Sequence, residues 1–201
     1  MIDELCQLWW MFTIKGLASI AFALICYFFS SFTALHLLQP MGYLYLLVIF
    51  TFYIGLVGII LLVGSIYSFD ARLRHRWLLL ADALSNLAIG PVFLITFGFG
   101  LSFSKVVVLF GLHAGIAGAG YLIFAIYEGK REYRLPVLGS AGLWSLAAGA
   151  VLVLRRHAPE GKLTVAVAIY SGVLGVILLL LSLSLRAAAH RRLPAALSPA
   201  L

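Results

Sequence analysis

The sequence predicts an all-α, polytopic membrane protein with six transmembrane helices arranged as three repeated helical hairpins. Three observations lead to this fold class: the composition, six long apolar runs, and a motif that recurs roughly every 60 residues. Of the 201 residues, 64% are hydrophobic and 10% are charged, whereas an average soluble domain is about 45–50% apolar and about 25% charged. This balance excludes an ordinary soluble enzyme, a disordered chain and a nucleic-acid-binding domain, despite the net charge of +7.

Each apolar run is long enough to cross a hydrocarbon core, which takes roughly 20 residues in a helix. The runs are continuous rather than alternating, so they are not β-barrel strands, and backbone groups in lipid must pair within each helix. Short connections favour antiparallel neighbours in a single domain over residues 1–186, with hairpins at about 8–67, 77–127 and 135–186. The predicted helices are Leu8–Phe29, Met41–Tyr67, Trp77–Gly98, Ser104–Tyr127, Leu135–Leu154 and Leu163–Arg186, followed by a short disordered cytoplasmic tail over 187–201.

The first helix is predicted to be retained rather than cleaved as a signal peptide. The chain begins Met1-Ile2-Asp3-Glu4, which is acidic where a targeting segment needs basic residues, and no A-x-A-like cleavage site follows the run. Cys6 and Cys26 would lie roughly 30 Å apart on this helix. They therefore cannot form a disulfide with each other.

The later helices follow from uninterrupted apolar sequence, except the third, in which Gly90-Pro91 stands halfway along the run. Proline removes one backbone hydrogen bond and kinks a helix. Membrane helices tolerate such kinks, so a structural kink is favoured over a functional hinge.

Basic residues in the connections predict the orientation. With the N-terminus inside, nine lysines and arginines fall on the inner side and four on the outer side, so we expect both termini in the cytoplasm. We also expect the inner residues to contact anionic lipids of the bilayer. The inner set is Arg72, Arg74, Arg76, Lys130, Arg131, Arg134, Arg186, Arg191 and Arg192; the outer set is Lys105, Arg155, Arg156 and Lys162.

The even-numbered helices share a glycine signature. It reads Tyr53-x-Gly55-x-x-Gly58, His113-x-Gly115-x-x-Gly118 and Tyr170-x-Gly172-x-x-Gly175. The odd-numbered helices carry a weaker pattern of small residues, at Gly16, Ala83 and Gly142, each followed seven residues later by Ala23, Gly90 or Gly149. Small residues let helix backbones approach closely in lipid, so these glycines are predicted to pack helices rather than bind a cofactor.

The threefold repetition of Trp, then Lys15-Gly16 or its equivalent, then a helix with Tyr-x-Gly-x-x-Gly resembles the HdeD family of small bacterial membrane proteins. The resemblance covers the chain from Trp9 to Arg186. It implies a location in the bacterial inner membrane and a role in acid resistance, and it supplies no catalytic residues. Two departures stand out: Asp82-Ala83 lacks the glycine, and Ala141-Gly142 lacks the charge.

Lys15 and Asp82 are ionisable residues inside apolar runs, where a charge costs about 2.5–3.5 kcal/mol by insertion scales. Each lies five residues after a tryptophan, Trp10 or Trp77, on helices that run in the same direction. Equal depth and opposite charge predict an ion pair inside the membrane, because pairing offsets much of the desolvation of each partner.

Other polar residues are predicted to join this pair in one cluster. Ser85 and Asn86 lie on the same face of helix 3 as Asp82, Ser19 follows Lys15 by one turn, and His113 lies near mid-depth on helix 4. The favoured interpretation is a polar lock that fixes helix register. The alternatives are a proton-sensitive or ligand-binding site, and a Lys15 side chain that reaches the interface without a partner.

The sequence contains no H-E-x-x-H, C-x-x-C, G-x-S-x-G or Walker A motif and no metal-ligand spacing. No catalytic residue, metal or cofactor is therefore predicted. Three functional hypotheses stay open: a non-enzymatic stress-tolerance protein, compatible with a homo-oligomer; a small proton- or ion-linked transporter or channel; and an integral-membrane enzyme that acts on a lipid or isoprenoid with Asp82 as the acid. The enzyme would need a second carboxylate or a metal ligand near Asp82.

Overall fold

The computed structural model describes residues 9–33, 39–70, 76–98, 103–128 and 135–197, and the regular structure in them is helical throughout. These ranges contain six helices that correspond one to one with the predicted runs. In chain order they are α1 Trp9–Thr33, α2 Gln39–Asp70, α3 Arg76–Gly98, α4 Phe103–Glu128, α5 Leu135–Leu154 and α6 Glu160–Leu197. Cys6 and the basic residues of the predicted inner connections at 72, 74, 130, 131 and 134 lie outside the described residues.

Five helices are long and apolar enough to cross a membrane, as expected of a helical membrane protein. Their spans are Trp9–Ser30, Val48–Ile66, Ser104–Ile126, Pro136–Leu154 and Gly161–Ala187. In α3 the apolar stretch among the described residues is Leu80–Val92, which is about 20 Å long at the rise of a helix. Five of the six predicted crossings therefore meet the length criterion. Pro91 lies inside α3, and the helix continues beyond it to Gly98.

The last helix is longer than the sequence predicts. α6 ends at Leu197, so residues 187–197 are helical where the sequence analysis places a disordered tail. Consecutive alanines at 187–189 follow the apolar span, and alanine is the best helix former. A helix that is already formed therefore extends through them at little cost, because propagation needs no new nucleus.

The six helices are arranged as a closed ring. The most extensive contacts join α1 with α6, α4 with α5, and α2 with α3. Smaller contacts join α1 with α2 and α5 with α6, and the smallest between consecutive helices joins α3 with α4. Since α1 and α6 come from opposite ends of the described chain, their contact closes the ring. The closest pairs thus lie between the predicted hairpins rather than within them.

The outward surface of the ring is apolar. Large side chains that a soluble protein would bury are exposed here: Phe52 is 74% exposed, Ile126 70% and Leu143 62%. An apolar surface of this extent suits contact with acyl chains rather than with water. The interior contains large apolar side chains such as Met11 and Leu178, both 0% exposed, and also the polar residues described next.

Candidate intramembrane site

Lys15 of α1 and Asp82 of α3 form an ion pair in the interior. The distance from Lys15 Nζ to Asp82 Oδ2 is 3.0 Å, and the two side chains are 6% and 17% exposed. This is the contact that equal depth and opposite charge predict. The pair links two helices that are separated in the chain by α2, and each charge offsets part of the other's desolvation.

Asn86 completes the surroundings of the carboxylate. Its Nδ2 group donates to Asp82 Oδ1 at 2.8 Å and to the backbone carbonyl of Asp82 at 2.6 Å. Asn86 lies one turn after Asp82 on the same face of α3, as predicted, and is buried. Each carboxylate oxygen therefore accepts one hydrogen bond from the protein. Ser85 is half-buried beside Asn86.

Tyr121 of α4 and Tyr53 of α2 bring two further helices to the pair. The Tyr121 ring centre lies 5.0 Å from Lys15 Nζ, which is within the range of a cation–π interaction. Ser19 donates to the Lys15 backbone carbonyl at 2.9 Å, and its hydroxyl lies 2.7 Å from the Tyr53 hydroxyl. The polar cluster therefore joins α1, α2, α3 and α4.

Neither tyrosine belongs to the cluster that the sequence predicts. The sequence does single out Tyr53, because this residue is the first of the glycine signature of α2. No sequence pattern singles out Tyr121, since a tyrosine eight residues after His113 in an apolar helix is typical of core packing. Its role becomes visible only when α4 is placed opposite α1.

A second serine–tyrosine contact lies between α5 and α6. The Tyr170 hydroxyl donates to Ser145 Oγ at 3.3 Å, and Trp144 Nε1 donates to the Tyr170 backbone carbonyl at 3.2 Å. Tyr170 heads the glycine signature of α6 as Tyr53 heads that of α2. Two signature tyrosines thus bond a serine on the preceding helix.

His113 heads the signature of α4, and its surroundings differ. Its Nδ1 atom is buried and has no hydrogen-bond partner in the part of the chain that the structure describes. The residue occupies in α4 the position that Tyr53 and Tyr170 occupy in α2 and α6. Unlike the two tyrosines, His113 has no serine partner among the described residues for its Nδ1 atom.

An aromatic layer crosses the bundle beside the polar cluster. The Tyr53 ring stacks on Phe22 with centres 4.6 Å apart, and Phe22 and Phe50 are 5.4 Å apart. Phe50 packs edge-on against Phe110 at 4.5 Å, and Phe110 against Tyr170 at 5.7 Å. These rings connect α1 and α2 through α4 to α6. Because the Tyr53 ring is part of this layer and its hydroxyl contacts Ser19, the layer adjoins the polar cluster.

Three signature glycines lie where helix backbones meet. A Cβ atom added at Gly58 would lie 2.8 Å from Leu87 Cγ, one at Gly118 would lie 2.8 Å from Leu146 N, and one at Gly175 would lie 2.7 Å from Gly16 O. No side chain fits at these distances without a shift of the neighbouring helix.

The other three signature glycines are less confined. A Cβ atom at Gly55 or Gly115 would meet no atom within 4 Å among the described parts of the chain, and one at Gly172 would make an ordinary 3.5 Å contact with Ala23 Cβ. Among the six signature glycines, an added side chain would therefore clash only at the last glycine of each signature.

The chemistry of the site is that of a charge pair surrounded by hydrogen-bonding groups. Within the described helices, no three His, Cys, Asp or Glu side chains come together in a way that would hold a metal ion. The groups found next to Asp82 are Lys15 and Asn86, neither of which is a second carboxylate. The arrangement can hold a charge, bind a polar group or accept a proton.

No family model, no curated protein and no solved structure matches this chain. The resemblance to the HdeD family therefore depends on the repeated motifs alone. The function has to be inferred from the helix contacts and from the buried polar cluster.

Proposed function

We propose that the chain is a non-enzymatic, six-span membrane protein of the HdeD-like type, built from three repeated hairpins, that contributes to tolerance of acid or envelope stress. In this proposal it lies in the bacterial cytoplasmic membrane with both termini in the cytoplasm. The observation that carries the proposal is the recurrence of one helix contact at three places in the ring.

The recurring contact joins the last signature glycine of each even helix to the following odd helix. Gly58 meets Leu87, Gly118 meets Leu146, and Gly175 meets Ile20. Leu87, Leu146 and Ile20 each lie four residues after a small residue of the odd-helix pattern: Ala83, Gly142 and Gly16. The same contact thus occurs between α2 and α3, α4 and α5, and α6 and α1. This equivalence supports a threefold repeat that closes on itself.

A sixth crossing by α3 is consistent with its length. The 23 residues of Arg76–Gly98 span about 35 Å as a helix, which exceeds the roughly 30 Å of a hydrocarbon core. Asp82 is the only Asp, Glu, Lys or Arg in the sequence from Trp77 to Gly98, and its pairing with Lys15 reduces the cost of burying it. Six crossings put both termini on one side, and the excess of basic residues on that side favours the cytoplasm.

The stress-tolerance role is tested with a deletion strain. Survival at low pH should fall when the gene is deleted and return when the wild-type gene is supplied. A Gly118→Leu variant, which cannot keep the contact with Leu146, should fail to restore survival. A Gly115→Ala variant, whose added Cβ meets no described atom, is the matched control and should restore it. Unchanged survival of the deletion strain would contradict the proposal.

The second candidate is a small proton- or ion-linked transporter, which the buried ion pair favours. Ionisable groups inside a membrane commonly mark ion and proton pathways. Tyr121, whose ring centre lies 5.0 Å from Lys15 Nζ, and His113 of the same helix add two groups able to exchange protons. Purified protein in liposomes should then carry a proton or cation flux at two pH values, and Asp82→Asn should abolish it. Wild-type liposomes with the leak of empty ones would exclude this candidate.

A further inference from the structure

The boundary between α3 and α4 is the least extensive contact between consecutive helices among the described residues. We call it the α3–α4 seam and define it by Asp82 and Asn86 of α3 and His113 and Tyr121 of α4. Of the two charged partners, the Asp82 side chain is 17% exposed and the Lys15 side chain 6%. The carboxylate is therefore the more accessible member of the pair.

Both α4 residues of the seam carry a buried polar atom without a partner. The Nδ1 atom of His113 and the hydroxyl of Tyr121 make no hydrogen bond within the described part of the chain. Tyr121 is 8% exposed, so water at the protein surface does not reach its hydroxyl freely. Since nearly all buried polar groups in folded proteins have a partner, these two atoms point to a group that the described residues do not supply.

The equivalent positions in the other hairpins show why the seam differs. Tyr53 bonds Ser19 and Tyr170 bonds Ser145, so those positions are satisfied within the protein. In the middle hairpin the matching residues are Asn86 and His113. Because the Asn86 amide nitrogen donates to Asp82, it is not free to donate to the imidazole of His113.

The charge balance limits what can bind. Lys15 and Asp82 neutralise each other, so an added cation or anion would bring an unpaired charge into a low-dielectric interior, which is unfavourable. A neutral hydroxyl avoids this cost and both donates and accepts hydrogen bonds. Asp82 retains acceptor capacity, because a carboxylate accepts about four hydrogen bonds and the described residues supply two donors.

The lipid-facing sides of the two helices suit an apolar tail. Leu84 of α3 is 54% exposed, and Leu112 and Ile116 of α4 are 53% and 60% exposed. A molecule that enters the seam from the bilayer would keep its chain against these residues while its head reaches the polar atoms. We propose that the α3–α4 seam binds the hydroxyl headgroup of a neutral membrane amphiphile, with Asp82 as acceptor and His113 and Tyr121 as its further partners.

Photo-crosslinking on the purified full-length chain in phosphatidylcholine nanodiscs tests the proposal. The probe is a long-chain alcohol with a diazirine near the hydroxyl, and the matched probe is its methyl ether. We expect the alcohol to label peptides from α3 and α4 and excess dodecanol to compete at least about tenfold better than dodecyl methyl ether, a difference of about 1.4 kcal/mol. Equal labelling by the alcohol and its ether would overturn the proposal, and this comparison needs no variant.

Variants then locate the headgroup. His113→Tyr with Tyr121→Phe should lower labelling by the alcohol to that of the ether, whereas Leu143→Val on the lipid-facing side of α5, where the side chain is 62% exposed, should leave it unchanged. Full labelling of a double variant that elutes as a single species would exclude these partners. Competition by diacylglycerol as well as by dodecanol would identify a lipid as the source of the hydroxyl, and competition by dodecanol alone a free alcohol. The experiment measures binding and does not depend on survival at low pH.

Discussion

Lys15 and Asp82 show how strongly a buried charge depends on its partner. Replacing a buried ion pair by apolar side chains is often neutral, whereas removing one partner costs about 3–5 kcal/mol because the other charge is left unpaired. The 3.0 Å contact and the 6% exposure of Lys15 place this pair in that regime. The two charges therefore stabilise the fold only as a pair.

Asp82→Asn alone should lower the free energy of unfolding in detergent by about 3–5 kcal/mol, because Lys15 then lacks its counter-charge. The double variant Lys15→Met with Asp82→Leu should recover most of the loss. Unfolding by sodium dodecyl sulfate, followed by circular dichroism, measures both. An equal loss in the single and double variants would contradict a stabilising interaction between the two charges.

Tyr53 and Tyr121 allow a hydrogen-bonded buried hydroxyl to be compared with one that has no partner among the described residues. Tyr53→Phe removes the partner of Ser19 and should cost about 1 kcal/mol. Tyr121→Phe removes a buried hydroxyl that has no partner in the described chain, so it should be neutral or stabilising. The same unfolding assay compares them in the absence of added alcohols. A larger loss for Tyr121→Phe than for Tyr53→Phe would show that the Tyr121 hydroxyl has a partner in the folded chain.

At the scale of single residues, the ion pair could be predicted from the sequence, whereas the contacts of the groups around it could not. Lys15 and Asp82 could be matched because each follows a tryptophan by the same interval on parallel helices. The contact of Tyr121 with Lys15 depends on where α4 stands relative to α1, and no local pattern specifies that. His113 could be assigned to the cluster, but its unsatisfied Nδ1 atom could not, because this follows from the Asn86 amide donating to Asp82.

At the scale of helices, the glycine signature combines two positions with different surroundings. Residues three apart on a helix differ in direction by roughly 60°. An added Cβ atom therefore points at the neighbouring helix at the last glycine of each signature, whereas at Gly55 and Gly115 it points at no described atom within 4 Å. The sequence identifies the stripe of small residues, whereas the ring geometry decides which of them is needed.

This difference gives a matched comparison between Gly118→Ala and Gly115→Ala. The added methyl at Gly118 would lie 2.8 Å from backbone atoms of Gly142 and Leu146, so α4 and α5 must separate at a cost of about 1–3 kcal/mol. The methyl at Gly115 meets open space, and alanine should stabilise the helix by about 0.5–1 kcal/mol. Unfolding in detergent measures both. Equal effects at the two positions would show that this close contact between α4 and α5 is not present in the folded protein.

The lengths of the helices were predictable because continuous hydrophobicity defines their central parts. The end of α6 could not be predicted in this way. The residues after Arg186 include few large apolar side chains, and they continue the helix because alanine has a high helix propensity. In α3, Asp82 and Asn86 interrupt the apolar pattern. Both are polar residues in the bundle interior, where polar groups often have a function. Departures from a simple hydropathy pattern thus coincide with the candidate site.

On the scale of the whole molecule, the α1–α6 contact turns a row of helices into a ring. Hydropathy and connection lengths predict neighbours along the chain, but they do not specify that the first and last helices meet. The contact is built from Gly16 and Gly175 and from the hydroxyls of Thr13 and Ser182, which hydrogen-bond to each other. Because Gly16 and Thr13 flank Lys15 in the chain, this contact fixes the part of α1 that carries the ion pair.

Ring closure predicts a specific disulfide. Thr13→Cys with Ser182→Cys, in a chain whose own cysteines are replaced by alanine, should crosslink on mild oxidation, because the two hydroxyls are in direct contact. A protease site inserted after residue 157, in the exposed connection between α5 and α6, makes the link visible, since the two fragments then stay joined on a non-reducing gel. Thr13→Cys with Leu183→Cys is the matched control, because Leu183 is 60% exposed on the outward side of α6. Crosslinking of the control pair, or separation of the fragments in the test pair, would mean that α1 and α6 do not close the ring as the structure has it.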